Sequence, residues 1–355
     1  MNTPFGRWAL LVASSAALSA ALLALHIPAA ILLGCMVCGI AFALRGLALT
    51  LPRRNFEWGQ GVLGCLMAQS LHPEALGSMA TRWPAALAIT LLLFGVSNAL
   101  GWWMMKRQIM PGTTAVWGMA PGAASAMVVM AEDFGADVRL VAFMQYTRVV
   151  LVTVIAALVA RAAGGQLPAS AGGTAWFFLG NPAALALTAG LVLGGSWLTR
   201  RFSVPGGAMV LPLVGAVLVQ ALLGQQPGLP PLLLAFAFAS IGWSVGLRFT
   251  RAVLLHALRA FPLVLAAMGL LVAVGVASGA ALVLLTGLDP LSAYLATSPG
   301  GADSMAVIAA TSAVDTSFVM AMQLARFLMV LLAGPATSRW LARHGPGGMP
   351  DSHAG

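Results

Sequence analysis

Residues 120–127 read A-P-G-A-A-S-A-M, and residues 298–305 read S-P-G-G-A-D-S-M. Both blocks lie inside apolar runs, where proline removes a backbone donor and glycine loosens the helix. They stand 178 residues apart, and the same frame continues on both sides. Downstream, Asp137, Met144, Gln145 and Arg148 match Asp315, Met322, Gln323 and Arg326. Upstream, Gly64 matches Gly242 and Pro84 matches Pro262. Several identities in one frame over this length mark an internal duplication. The expected organisation is a first membrane repeat over 1–161, a linker over 162–176, a second membrane repeat over 177–343 and a cytoplasmic tail over 344–355. The linker is the one long stretch of small and polar residues (AAGGQLPASAGGTA from residue 162).

The composition names the solvent. Of 355 residues, 60% are hydrophobic and only 8% are charged, against about 25% charged in a soluble domain. So few charges cannot cover a water-facing surface, whereas a lipid-facing one needs none. The 40 glycines agree, since small residues let membrane helices approach closely. Apolar runs fall at 8–24, 28–45, 58–71, 83–105, 113–131 and 138–160, and again at 177–199, 205–223, 231–248, 260–286, 291–312 and 316–338. Several are short for a crossing of roughly 20 residues. Tryptophans such as Trp83, Trp102, Trp197 and Trp340 sit near run ends, as interface anchors do.

The net charge of +9 comes from basic residues placed between the runs. That is the pattern of the positive-inside rule, not of a nucleic-acid surface. With a cytoplasmic N-terminus and both Pro-Gly runs entering and returning on one side, 14 of the 18 Lys and Arg fall inside. Each repeat then has five spans plus one re-entrant or broken segment. Five is odd, so the repeats are inverted relative to each other. The expected fold is an all-α, polytopic transmembrane bundle of two inverted repeats, with both termini cytoplasmic. Inverted repeats with interrupted helices near the midplane characterise many secondary transporters.

The candidate site follows from cost. Arg148 and Arg326 lie near the middle of their runs, and a buried arginine there costs at least about 2.5–3.5 kcal/mol on insertion scales. Gln145 and Gln323, three residues earlier, share their helix faces. All four are expected to face the interrupted segments, whose freed backbone groups need partners from protein, water or ligand. The substrate-binding set is therefore Arg148, Arg326, Gln145 and Gln323 with Pro121, Gly122, Ser125, Pro299, Gly300, Gly301, Asp303 and Ser304. Asp303 stands where the first repeat has Ser125, and reads as a coupling-ion ligand, a proton carrier or an arginine partner. Asp137 and Asp315 precede the arginine helices and read as N-caps.

Other chemistries find little support. Cys35 and Cys38 form a lone C-x-x-C on an apolar run, and buried thiols stay protonated. The five histidines make no metal-ligand spacing with cysteines or carboxylates. No Gly-rich loop ends in Gly-Lys-Ser/Thr, so the sequence lends no support to an ATP-driven pump. The residues imply no cofactor, no metal and no catalytic group.

The duplicated P-G-[AG]-A blocks with M-Q-x-x-R downstream resemble the AbrB-duplication family of bacterial inner-membrane proteins. The resemblance runs from about residue 8 to 343. It implies a multi-pass protein of the bacterial inner membrane with an internal duplication. The family carries two labels, regulator of gene expression and ammonia monooxygenase. A monooxygenase would need a copper or iron site, and a direct regulator a soluble signalling domain. The expected function is a secondary transporter or permease, not an enzyme. Its partners are the lipid bilayer, a small anionic organic solute and a coupling ion (sodium or proton). Nucleic acid is not among them, and oligomers remain open.

Overall fold

The computed structural model describes residues 4–25, 27, 29–47, 49–69, 82–121, 124–162, 181–202, 204, 207–300, 305, 308–309 and 314–343. Among these the regular structure is entirely α-helical. The helices are α1 (Pro4–Ala24), α2 (Ala30–Leu44), α3 (Arg53–Gln69), α4 (Trp83–Lys106), α5 (Thr114–Met119), α6 (Ala124–Asp133) and α7 (Val138–Ala162). They continue as α8 (Pro182–Phe202), α9 (Gly207–Leu223), α10 (Pro231–Gly246), α11 (Arg251–Thr286), α12 (Pro290–Thr297) and α13 (Thr316–Arg343). Six spans within these helices are long and apolar enough to cross a membrane: Phe5–Ala24, Trp83–Lys106, Val138–Ala156, Pro182–Phe202, Arg251–Thr286 and Thr316–Leu341. The apolar helices α2, α9 and α10 have only 15, 17 and 16 residues, or about 22–26 Å of helix.

Two helices begin well before their apolar runs. α11 starts at Arg251 rather than near 260, and α3 at Arg53 rather than near 58. A helix satisfies its own backbone whatever its side chains, so hydropathy marks the lipid-facing part and not the helix end. Pro262 lies inside α11, whereas its counterpart Pro84 stands at the start of α4, where a missing N–H costs nothing.

The chain divides into two compact units, and each draws on both halves of the sequence. The first comprises Met1–Leu71 and Ala169–Leu255, the second His72–Pro168 and His256–Gly355. Within the first unit α3 packs on α9 and α10 packs on α2. Glycines make these approaches close. A Cβ on Gly64 of α3 would strike the Met209 carbonyl of α9, and one on Gly242 of α10 would lie 2.6 Å from the Leu32 carbonyl of α2. Glu57 of α3 also pairs with Arg200 of α8 at 3.2 Å.

The second unit holds the interrupted segments. Its core gathers Ile89 and Leu93 of α4, Val152 and Ala156 of α7, Val272 and Leu282 of α11, Tyr294 and Leu295 of α12, and Phe318 and Met322 of α13. The short helices press against the long ones at glycines. A Cβ on Gly101 of α4 would lie 2.7 Å from Val116 Cα of α5, and one on Gly279 of α11 would lie 3.0 Å from Thr297 Oγ1 of α12.

Candidate functional site

Each Pro-Gly block ends a short helix in the same way. α5 stops at Ala120 (φ −57, ψ 122) and α12 stops at Ser298 (φ −61, ψ 127). One extended residue before each proline leaves the last carbonyls of the helix without backbone partners. α6 resumes at Ala124 beyond the first block.

Side chains from α7 and α13 take up those carbonyls. Gln145 Nε2 donates to the carbonyls of Trp117 (2.7 Å) and Ala120 (3.1 Å). Gln323 Nε2 donates to those of Leu295 (2.8 Å) and Ser298 (3.3 Å). Arg148 Nη1 reaches the Ala120 carbonyl at 2.5 Å, and Arg326 Nη1 the Ser298 carbonyl at 2.8 Å. Each arginine also donates through Nη2 to the side-chain oxygen of the glutamine three residues earlier. Every one of these bonds has its counterpart 178 residues away.

Arg326 goes further. Its Nε donates to the Pro121 carbonyl at 2.7 Å and its Nη2 to the Gly300 carbonyl at 3.2 Å. One guanidinium therefore joins both breaks. Arg148 and Arg326 bond to consecutive carbonyls, those of Ala120 and Pro121, so their charges lie close together. Both are shut away from solvent, at 0% and 3% exposure. A negative helix C-terminus is a natural partner for a cation, which explains how such charges are held.

The helices carrying the arginines are capped as their sequence suggests. Asp137 Oδ1 accepts from the Arg139 backbone N–H at 3.0 Å, and Asp315 Oδ1 from that of Phe318 at 3.0 Å. The N–H of each aspartate donates to a hydroxyl, Thr114 Oγ1 for Asp137 (3.1 Å) and Ser292 Oγ for Asp315 (2.8 Å). These hydroxyls were legible too, because Thr114 and Ser292 are also 178 apart.

Of the twelve residues singled out in the sequence, the structure brings Arg148, Arg326, Gln145, Gln323, Pro121 and Gly300 into one hydrogen-bonded group. Pro299 abuts α11, with its Cδ 3.3 Å from where a Cβ on Gly275 would be. Gly122, Gly301, Asp303, Ser304 and the side chain of Ser125 lie outside the described residues. Two hydroxyls of this neighbourhood escaped the sequence reading, those of Tyr294 and Ser298. The available signal was rarity, since the chain has two tyrosines and one lies four residues before the second block. Among the described residues, no group of three or more His, Cys, Asp or Glu stands together as metal ligands do.

Residues 31–342 match the protein family described as transition state regulatory protein AbrB. The chain belongs to the AbrB family. The match runs through both breaks and both arginine helices. A relative from Escherichia coli (strain K12), named "Putative regulator AbrB", is 41% identical over 345 residues, covering 97% of this chain and 99% of the relative. The uncharacterized protein YhjN of Bacillus subtilis (strain 168) is 26% identical over 307 residues, covering 81% and 79%. Neither name is that of an enzyme. No solved structure matches the chain.

Proposed function

We propose that this AbrB-family protein is a secondary transporter for a small anionic organic solute. It would work in the bacterial inner membrane with both termini cytoplasmic. The observation that carries this reading is Arg326. Its guanidinium is buried, bonds to carbonyls from both breaks, and has no carboxylate partner among the described residues. Carbonyl dipoles orient such a charge without cancelling it, and Arg148 adds a second positive charge beside it. An anion is the partner that this field favours. Broken backbone at membrane depth belongs where a pathway or cavity is lined. Inverted repeats would supply alternating access by rocking one body against another.

A coupling ion, sodium or proton, would bind away from these carbonyls. In transporters with broken helices the freed carbonyls coordinate such ions, but here guanidinium N–H groups already occupy them. The name of the Escherichia coli relative favours a second reading, a membrane-located regulator of gene expression. Transport of an effector would produce regulation indirectly.

The test is uptake by purified protein in proteoliposomes, using a panel of labelled small organic anions, cations and neutral solutes. At least one anion should accumulate. Arg326→Lys, which keeps the charge, should retain part of that uptake, and Arg326→Gln should lose it while still reconstituting. Wild-type uptake by Arg326→Gln, or no movement of any anion, would overturn the reading.

A further inference from the structure

The second break carries two hydroxyls that the fold does not use. Ser298 is 1% exposed and Tyr294 is 7% exposed. Neither Ser298 Oγ nor Tyr294 Oη has a hydrogen-bond partner among the described residues. The two residues stand one helical turn apart, with the Ser298 N–H donating to the Tyr294 carbonyl at 2.8 Å, and among the described residues their hydroxyls face each other rather than any other group. Ser298 is also the residue whose carbonyl takes Arg326 Nη1 at 2.8 Å, so the guanidinium is tied to the main chain of the residue that carries this hydroxyl. Arg326 has five N–H donors, and four are engaged, by the carbonyls of Pro121, Ser298 and Gly300 and by Gln323. One N–H remains.

Buried hydroxyls without partners are costly and uncommon, and each asks for an explanation. Packing does not require them. At the first break, the positions of Tyr294 and Ser298 are filled by Val116 and Ala120, both buried and apolar. The same main-chain arrangement therefore forms without either hydroxyl.

We propose that Tyr294 Oη, Ser298 Oγ and the remaining N–H of Arg326 form the head-group site for the solute, and that the head group is a single carboxylate. This rests on the transporter reading and gives it a substrate class. A carboxylate has two oxygens with about four acceptor positions, enough for one charged N–H and two O–H donors. A phosphate or sulfate would present more oxygens than three donors can satisfy. The site is asymmetric, lying on the second break alone. It is closed to solvent in this conformation, so the solute enters when the segments part.

The experiment uses the full-length protein purified in detergent, with thermal unfolding followed by tryptophan fluorescence. Millimolar acetate, lactate and pyruvate are compared with phosphate and sulfate at matched ionic strength, with chloride as the blank. At least one carboxylate should raise the midpoint of the wild type, since a ligand bound by the folded state stabilises it. Tyr294→Phe, Ser298→Ala and the double variant should unfold without ligand close to the wild-type temperature, because neither hydroxyl bonds to the rest of the described fold. Their apparent affinity for that carboxylate should fall about tenfold for each hydroxyl removed. A carboxylate response kept in full by the double variant would move the head group elsewhere and leave anion transport standing. Stabilisation by phosphate or sulfate alone would refute the carboxylate class. A double variant that melts well below wild type without ligand would make the hydroxyls structural. If Tyr294→Phe alone keeps the full response, the site as drawn is wrong. No response of the wild type to any anion would remove both the site and the transporter reading.

Discussion

At the first break, Gln145 and Arg148 hold the carbonyls of Trp117 and Ala120; at the second, Gln323 and Arg326 hold those of Leu295 and Ser298. What surrounds this frame differs. The first short helix follows Pro111 and Gly112, and Gly112 takes a left-handed φ of 54°, so α5 starts late and has six residues. The second has Asp289 and Pro290 in those places. Asp289 caps the backbone N–H groups of Leu291 and Ser292 at 2.9 and 3.1 Å, and α12 has eight residues. The first break is packed with apolar groups, including buried Trp117 stacked on Phe134 with ring centroids 5.4 Å apart. The second has Leu295 in place of the tryptophan, with Tyr294 and Ser298 nearby. A shared frame and unshared surroundings separate two duties. Holding the broken backbone is a structural requirement met by the same Gln–Arg frame in both halves, while the head-group site proposed above lies on one.

The largest expected effect tests the frame. Arg326→Ala would strand the carbonyls of Pro121 and Gly300 together with the Gln323 side-chain oxygen, and would leave the Ser298 carbonyl with Gln323 Nε2 alone. Hydrogen bonds to a charged group are worth about 1.5–3 kcal/mol each, and removing the buried charge offsets part of the loss. The net destabilisation should be about 3 kcal/mol, read from thermal unfolding in detergent. Because Arg326 touches both breaks, both short helices should exchange their amide hydrogens faster. Protection lost only from α12 would mean that the bond to Pro121 does not hold the first break.

The next effect distinguishes the fit of the two short helices. Gly101→Ala would force a methyl against the Val116 backbone at 2.7 Å, where nothing flexible can yield. Gly279→Ala would meet the Thr297 hydroxyl at 3.0 Å and backbone atoms only at 3.4 Å. Overpacking typically costs 1–3 kcal/mol. The first substitution should therefore lie near about 3 kcal/mol and the second near about 1 kcal/mol in the same assay. Equal losses would show that the first break is no more tightly seated than the second.

Much of this was legible in the sequence because membrane burial makes polar residues expensive. Two arginines and two glutamines at matching places in apolar runs had to face something polar, and the interrupted segments supplied it. The aspartate caps were legible because a carboxylate immediately before an apolar run has few other uses. Packing across the halves was not legible. Nothing in the runs of α3 and α10 says that each lies on the second helix of the opposite half, since apolar faces carry no address. The start of α11 was also missed, because Arg251, His256 and Arg259 interrupt the hydropathy without interrupting the helix. The hydroxyls of Tyr294 and Ser298 were passed over because a search for matching positions in the two halves is blind to differences between them.

The smallest effect concerns the caps, where the halves use different arginines for one task. Asp137 is held by Arg139, two residues on, through bonds of 2.9 Å from Nε and 2.7 Å from Nη2. Asp315 has Arg82 at 3.8 Å, with both side chains about a third exposed. Burial works against the charged form of Asp137, but the hydrogen bonds and charge of Arg139 outweigh it, and the carboxyl is held below its usual range. A carboxyl that titrates lower in the folded protein than in the unfolded chain stabilises the fold at every pH above its ordinary value of about 3.9. That contribution is lost as the pH falls through the folded value. Asparagine is as good an N-cap as aspartate, so an Asp→Asn change removes the ion pair and leaves the cap. Asp137→Asn should cost about 1 kcal/mol at neutral pH, and Asp315→Asn about half of that or less, since an exposed pair is screened by water. The gap in melting temperature between wild type and Asp137→Asn should then close as the pH drops below about 4. A gap that persists unchanged in acid would mean that Asp137 acts through its shape alone, and the two caps would then be equivalent after all.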